Sequence, residues 1–373
     1  MDMPHERPHR QPGDLEIGVA DVFMEREGPA IHVVEHPPPP EWYLRYERAR
    51  PRLLVEMVAE AFGTFLYCWG GMGAACTFFI ATAEGQTTVG SMLSVAFAYC
   101  AAILLALICC ASTSGGHFHP AFTIAFSIFK GFPLRKVPWY IFAQLLGAFI
   151  GSLCVIGQYH ESLTLISNEL EAAGKLKQIF TPAGPASAIE ATIMPGRNLG
   201  WVFFNEFMMN FVMGAVVFGI LDPTNIFIAP TNGPVVIAIA FFLVIISFSM
   251  NGAAINTARD LGSRMAAAVY WGHPSLVFPA KYTAISILTN ILGVLVGAGF
   301  QILFLSDTKR AITTGAKQML AGTSHGQLAI DESVPGITRV VSTAPMGRQI
   351  SVTPSSMEKQ PNGGSFTRTE EAV

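Results

Sequence analysis

The 373 residues are 51% hydrophobic and only 13% charged, with a mean hydropathy of +0.44. A soluble domain of this length usually carries about a quarter charged residues, so the balance excludes an ordinary soluble globule. A net charge of −3 offers no basic surface for nucleic acid. Both ends are polar and the middle is oily, which reads as a membrane domain flanked by two tails.

Residues 1–50 carry His, Arg, Glu and the run Pro37-Pro38-Pro39-Pro40, with no apolar core segment of the kind a secretion signal needs. Such a composition predicts an unstructured arm. Six apolar stretches follow, at 53–80, 89–112, 137–158, 200–221, 234–250 and 282–305, each near the ~20 residues that cross a bilayer. Residues 307–373, rich in Ser, Thr, Gly and Pro, predict a second unstructured tail. The fold class is therefore an all-α membrane protein over 51–306. Arg45, Arg48, Arg50 and Arg52 precede the first span, Lys130, Arg135 and Lys136 separate the second and third, and Lys309-Arg310 follow the sixth. Basic residues stay cytoplasmic, so both termini are expected inside and the loop 159–199 outside, in the plasma membrane or a vacuole. Cys68, Cys76, Cys100, Cys109, Cys110 and Cys154 lie in or beside apolar stretches without CxxC spacing, and read as packing residues.

Two apolar pieces, 114–129 and 251–268, are too short to span. One lies between spans two and three, the other between spans five and six. Paired short segments at matching positions point to a site in an inverted-repeat membrane protein. The halves, 53–158 and 200–305, match further. Glu60 lies in the first span and Glu206 in the fourth. Gln144, Gly147 and Gly151 in the third span match Asn290, Gly293 and Gly297 in the sixth. Each copy holds three spans, an odd number, so the second copy is inverted. The fold class thus becomes six transmembrane helices plus two re-entrant half-helices.

Non-helical backbone at membrane depth is tolerated where it lines a cavity. Gly115-Gly116-His117-Phe118 and Gly252-Ala253-Ala254-Ile255 fit such loops, with half-helices opening at His119-Pro120 and Asn256-Thr257. Two positive dipole ends meeting at mid-membrane repel cations while a neutral molecule passes. Glu60 and Glu206 are expected to accept hydrogen bonds from loop backbone. His117 and His119 have no further ligand nearby, His160 and His273 being distant in sequence, so no metal, cofactor or catalytic group is indicated.

The stretches Ser114-Gly115-Gly116-His117-Phe118-His119-Pro120-Ala121-Phe122-Thr123-Ile124 and Asn251-Gly252-Ala253-Ala254-Ile255-Asn256-Thr257-Ala258-Arg259-Asp260-Leu261-Gly262 resemble the paired Asn-Pro-Ala loops of the major intrinsic proteins, the aquaporins and aquaglyceroporins. The resemblance covers about residues 50–306. It implies a non-catalytic homotetramer in the lipid bilayer with one pore per subunit, and a structural role for His117, Gln144 and Asn290. It also places a selectivity filter on Tyr99, Val244, Ala253 and Arg259. Asp260 and Arg264 resemble the glycerol-conducting subgroup, so the expected solutes are water and glycerol-like polyols, as in fungal aquaglyceroporins. The pore motifs depart from the family: they read His119-Pro120-Ala121 and Asn256-Thr257-Ala258. Thr257 still opens a helix. His119 either replaces Asn as a neutral donor or charges near physiological pH and reduces flux. A non-conducting scaffold of the same fold is the alternative.

Overall fold

The computed structural model describes residues 40–86, 88–272 and 280–307. The arm over 1–39, the tail over 308–373 and His273 lie outside the described residues. The chain divides into two units, Met1–Leu44 and Arg45–Val373. Residues 1–50 were expected to be without structure, yet helix α1 forms over Glu41–Ala49, with Glu41 in its first turn and Arg48 in its last. Those charges complement the helix dipole, and the proline run ends one residue before the helix.

The described part of the second unit is helical, with six helices long and apolar enough to cross a membrane. These are α2 (Arg52–Ala83), α3 (Met92–Ser114), α5 (Val137–Gln158), α7 (Leu199–Ile220), α8 (Gly233–Phe248) and α10 (Ala280–Phe300), the last continuing through a π-helical turn at Gln301–Leu305. The 22 residues of α7 extend about 33 Å at 1.5 Å each, matching a hydrocarbon core of about 30 Å. Local chemistry sets the ends. Ser91 and Ser94 form a capping box at the start of α3, and Gly115 closes it in a left-handed conformation at φ 94. Phe97, Leu105, Ile108, Phe142 and Leu243 stay exposed, as side chains facing lipid tails do. The chain is thus an integral multi-pass membrane protein.

Two short helices, α4 (Pro120–Phe129) and α9 (Thr257–Trp271), interrupt the spans where the sequence places them. Helix α2 packs on α3 and α5, and its counterpart α7 packs on α8 and α10. Each half-helix inserts into the opposite half: α4 packs on α10, and α9 packs on α5. The repeated glycines set the spacing. A Cβ at Gly147 would meet the Ala61 carbonyl of α2, and one at Gly297 the Phe211 carbonyl of α7. Glycine at these points lets the helix pairs cross at backbone contact.

The segment 159–199, expected as a loop, contains helix α6 (His160–Ala172) and two 3₁₀ turns, Leu176–Phe180 and Pro185–Ala188. Leu163 turns inward and is fully buried. Thr164 Oγ1 bonds Tyr270 Oη at 2.6 Å, and Trp271 Nε1 donates to Ser167 Oγ at 2.9 Å. The segment is therefore fastened to the far end of α9.

Candidate functional site

The two half-helices begin in mirrored fashion. Pro120 opens α4, where its missing N–H is no loss, and His119 Nδ1 accepts the Ala121 N–H at 3.0 Å. Thr257 opens α9, and Asn256 Oδ1 accepts the N–H groups of Ala258 and Arg259 at 2.8 and 3.3 Å. Each capping residue also reaches across to the other half. His119 Nε2 donates to the Ile255 carbonyl at 2.7 Å, and Asn256 Nδ2 donates to the Phe118 carbonyl at 2.8 Å. Phe118 and Ile255 carry φ values of 47° and 59°. For a β-branched residue that conformation is strained by about 1–3 kcal/mol and persists only when its surroundings fix it.

Glu60 and Glu206 do the fixing. Glu60 accepts the His117 N–H at 2.9 Å, the Phe118 N–H at 2.8 Å, Ser114 Oγ at 2.7 Å and Gln144 Nε2 at 2.7 Å. Glu206 accepts the Ala254 N–H at 2.5 Å, the Ile255 N–H at 3.2 Å and Tyr282 Oη at 3.2 Å. Both carboxylates are fully buried. Gln144 also bonds Thr123 Oγ1 at 2.9 Å. Asn290, one methylene shorter, bonds Asn210 rather than Glu206, accepting Asn210 Nδ2 at 2.8 Å. His117 Nδ1 lies 3.2 Å from Thr123 Oγ1, with the Phe126, Phe132 and Tyr140 rings around it. Among the described residues no group of three His, Cys, Asp or Glu is placed to hold a metal. Ala121 and Ala258 pack with no exposure beneath the junction, and Thr257 Oγ1 ties α9 to α10 by donating to the Ile287 carbonyl at 2.8 Å.

On α9, Arg259 lies three residues beyond Asn256. Its Nη2 donates to Tyr99 Oη at 2.9 Å, and its Nε does so at 3.3 Å. Nη1 has no hydrogen-bond partner among the described residues although buried. Val244 is buried and Ala253 partly buried. Tyr67 is a residue the sequence reading missed: its ring lies 5.4 Å from the Tyr99 ring and 6.4 Å from that of Phe241. Gly71 gives the Tyr99 ring its room, since a Cβ there would overlap the ring. Gly71→Ala is expected to displace the Tyr99 ring, and with it the Arg259 hydrogen bonds, and so to lower flux. Flux measured on reconstituted G71A checks this.

Asp260 and Arg264 come together one helical turn apart. Arg264 Nε donates to Asp260 Oδ2 at 2.8 Å, with both side chains fully buried. Together they hold Ala191 of the segment 159–199: Asp260 Oδ1 accepts its N–H at 3.3 Å, and Arg264 Nη2 donates to its carbonyl at 2.6 Å. Ser286 Oγ donates to Asp260 Oδ2 at 2.6 Å. The pair therefore pins the segment 159–199 to α9. Glu190 is fully buried there, 3.8 Å from Arg264 Nη1, and neither of its oxygens accepts a hydrogen bond among the described residues. Burial pushes its carboxyl up to about 8, with Arg264 opposing and Asp260 reinforcing the rise. A carboxyl raised on folding contributes stability that is complete below its unfolded value of 4.5 and is lost as pH rises through about 8. The melting temperature in detergent is expected to fall between pH 5 and 9, and Glu190→Gln to flatten that slope.

Residues 47–303 match the family described as "Major intrinsic protein". The chain belongs to that family. "Aquaporin-3" of Laccaria bicolor is 38% identical over 273 residues, which are 72% of this chain and 82% of the relative. "Aquaporin-9" of Mus musculus is 28% identical, with 68% and 83% covered. Among solved structures, the aquaglyceroporin from Plasmodium falciparum is similar with a TM-score of 0.57 and 25% identity, over 68% of this chain and 97% of that one. A major intrinsic protein is a channel rather than an enzyme by family character, and the paired loops of this one meet as the repeat predicts.

Proposed function

We propose that the chain passively conducts water and small uncharged polyols such as glycerol through the junction of α4 and α9. The observation that carries this is the free Arg259 Nη1 above two opposed half-helix N-termini. A guanidinium held by Tyr99 at 2.9 Å offers a donor to a hydroxyl and repels cations. The opposed dipoles below it add to the cation barrier. Tyr99, Val244, Ala253 and Arg259 form the filter in this reading, and Asp260 with Arg264 braces its outer rim. Small Val244 and Ala253 leave room for a carbon backbone. Four copies assemble in the plasma membrane with both termini cytoplasmic.

His119 acts in this reading as a neutral replacement for asparagine. A second ring proton would have to sit on Nδ1, which already accepts the Ala121 N–H at 3.0 Å. Osmotic swelling of proteoliposomes in water and glycerol gradients tests the proposal. Fast swelling in both is expected, with the same pH profile for wild type and His119→Asn between about pH 5 and 8, where histidine ordinarily titrates. No flux of either solute supports the scaffold alternative instead.

A further inference from the structure

The mirrored hydrogen bonds across the half-helix junction hide an inequality. A neutral imidazole has one N–H, whereas a carboxamide nitrogen has two. His119 Nε2 gives its single hydrogen to the Ile255 carbonyl at 2.7 Å, and its Nδ1 is an acceptor, occupied by the Ala121 N–H at 3.0 Å. Asn256 gives one amide hydrogen to the Phe118 carbonyl at 2.8 Å, and the other has no acceptor among the described residues. Both side chains are 2% exposed. On the proposed reading, the little surface they keep faces the passing solute. With both ring nitrogens engaged, on that reading His119 has only a carbon edge to offer there, its ring edge-on to Phe122 at 5.3 Å.

We infer that His119 is a specificity-determining residue: it leaves the centre of the pore with one N–H donor, from Asn256, and so favours polyols over water. The inference rests on the channel reading above. A single water at the centre has two lone pairs to satisfy, and with one donor present it crosses that point short of one hydrogen bond. Glycerol carries three hydroxyls along its length. While its middle passes the imidazole edge, its ends bond elsewhere and its carbon backbone packs against the ring. The missing donor therefore slows water more than glycerol.

Stopped-flow swelling of proteoliposomes holding wild type, His119→Asn and Asn256→His tests this. H119N supplies the second donor, and its water permeability is expected to rise roughly fivefold, the equivalent of one net hydrogen bond, and to rise more than its glycerol permeability. N256H removes the remaining donor and is expected to lower water permeability by a similar factor. The glycerol-to-water ratio thus falls in the first and rises in the second. An unchanged ratio in both folded variants overturns the inference while leaving the channel reading standing. A wild type that passes neither solute overturns both together. Nitrogen-15 chemical shifts of His119 in the wild type provide a check that needs no variant to fold. The expected ring is neutral and protonated at Nε2, and a proton on Nδ1 overturns the inference.

Discussion

Glu60→Ala is expected to destabilise the protein by about 5 kcal/mol and to abolish solute flux. The carboxylate accepts the N–H groups of His117 and Phe118, Ser114 Oγ and Gln144 Nε2. Ser114 retains the Cys110 carbonyl at 3.4 Å and Gln144 retains Thr123. The two backbone N–H groups retain nothing among the described residues, and an unpaired buried donor costs about 1–3 kcal/mol. The left-handed Phe118, held in place only by its surroundings, is then free to relax out of the observed loop geometry. Its carbonyl is the acceptor for Asn256, so the disturbance crosses directly into the second half. Thermal unfolding in detergent together with flux measures the outcome. Glu206→Ala, which frees Ala254, Ile255 and Tyr282, is expected to behave alike, because the carboxylates stand at equivalent places in the two halves.

Asp260→Ala is expected to cost up to about 3–5 kcal/mol, the penalty for removing one partner of a buried ion pair. Arg264 is fully buried, and its 2.8 Å bond to Asp260 is lost in the variant. Glu190 at 3.8 Å is the carboxyl left beside it. Without Asp260, which raises the Glu190 carboxyl, Glu190 ionises more readily and recovers part of the loss. The double variant D260A/R264M removes both charges and is expected to be more stable than D260A alone, a coupling that the four-cornered cycle reads directly. Because Asp260 and Arg264 grip Ala191 from both sides, D260A is also expected to raise amide exchange across residues 186–191.

The parts of this architecture that repeat were legible in the sequence. The six spans, the two half-helices and the acceptor role of Glu60 and Glu206 followed from hydropathy and the doubled pattern. The amide–glycine spacing in α5 and α10 marked two helix crossings that the structure places at Ala61 and Phe211. The parts that depend on distant partners were not legible. Nothing local marks Glu190 as buried, since its neighbour Arg264 lies 74 residues on. Matching Gln144 to Asn290 by position hid a difference of one methylene, which sends the first to Glu60 and the second to Asn210. Leu163 and the inward face of α6 carried a helical period, masked by charges on the other face. The tautomer of His119 depends on an Ile255 carbonyl in the opposite repeat, beyond the reach of local reading.

The central claim is passage of neutral solutes between the two half-helices, beneath Arg259. Its most direct test is flux through Ala253→Cys proteoliposomes before and after reaction with a membrane-impermeant methanethiosulfonate, with wild type as control. Ala253 lies three residues before Asn256, on the side that the proposed topology turns outward. Water and glycerol flux are expected in the unmodified protein, to be lost on labelling and to return on reduction, while wild type is unaffected. Flux that persists undiminished through fully labelled protein contradicts the account.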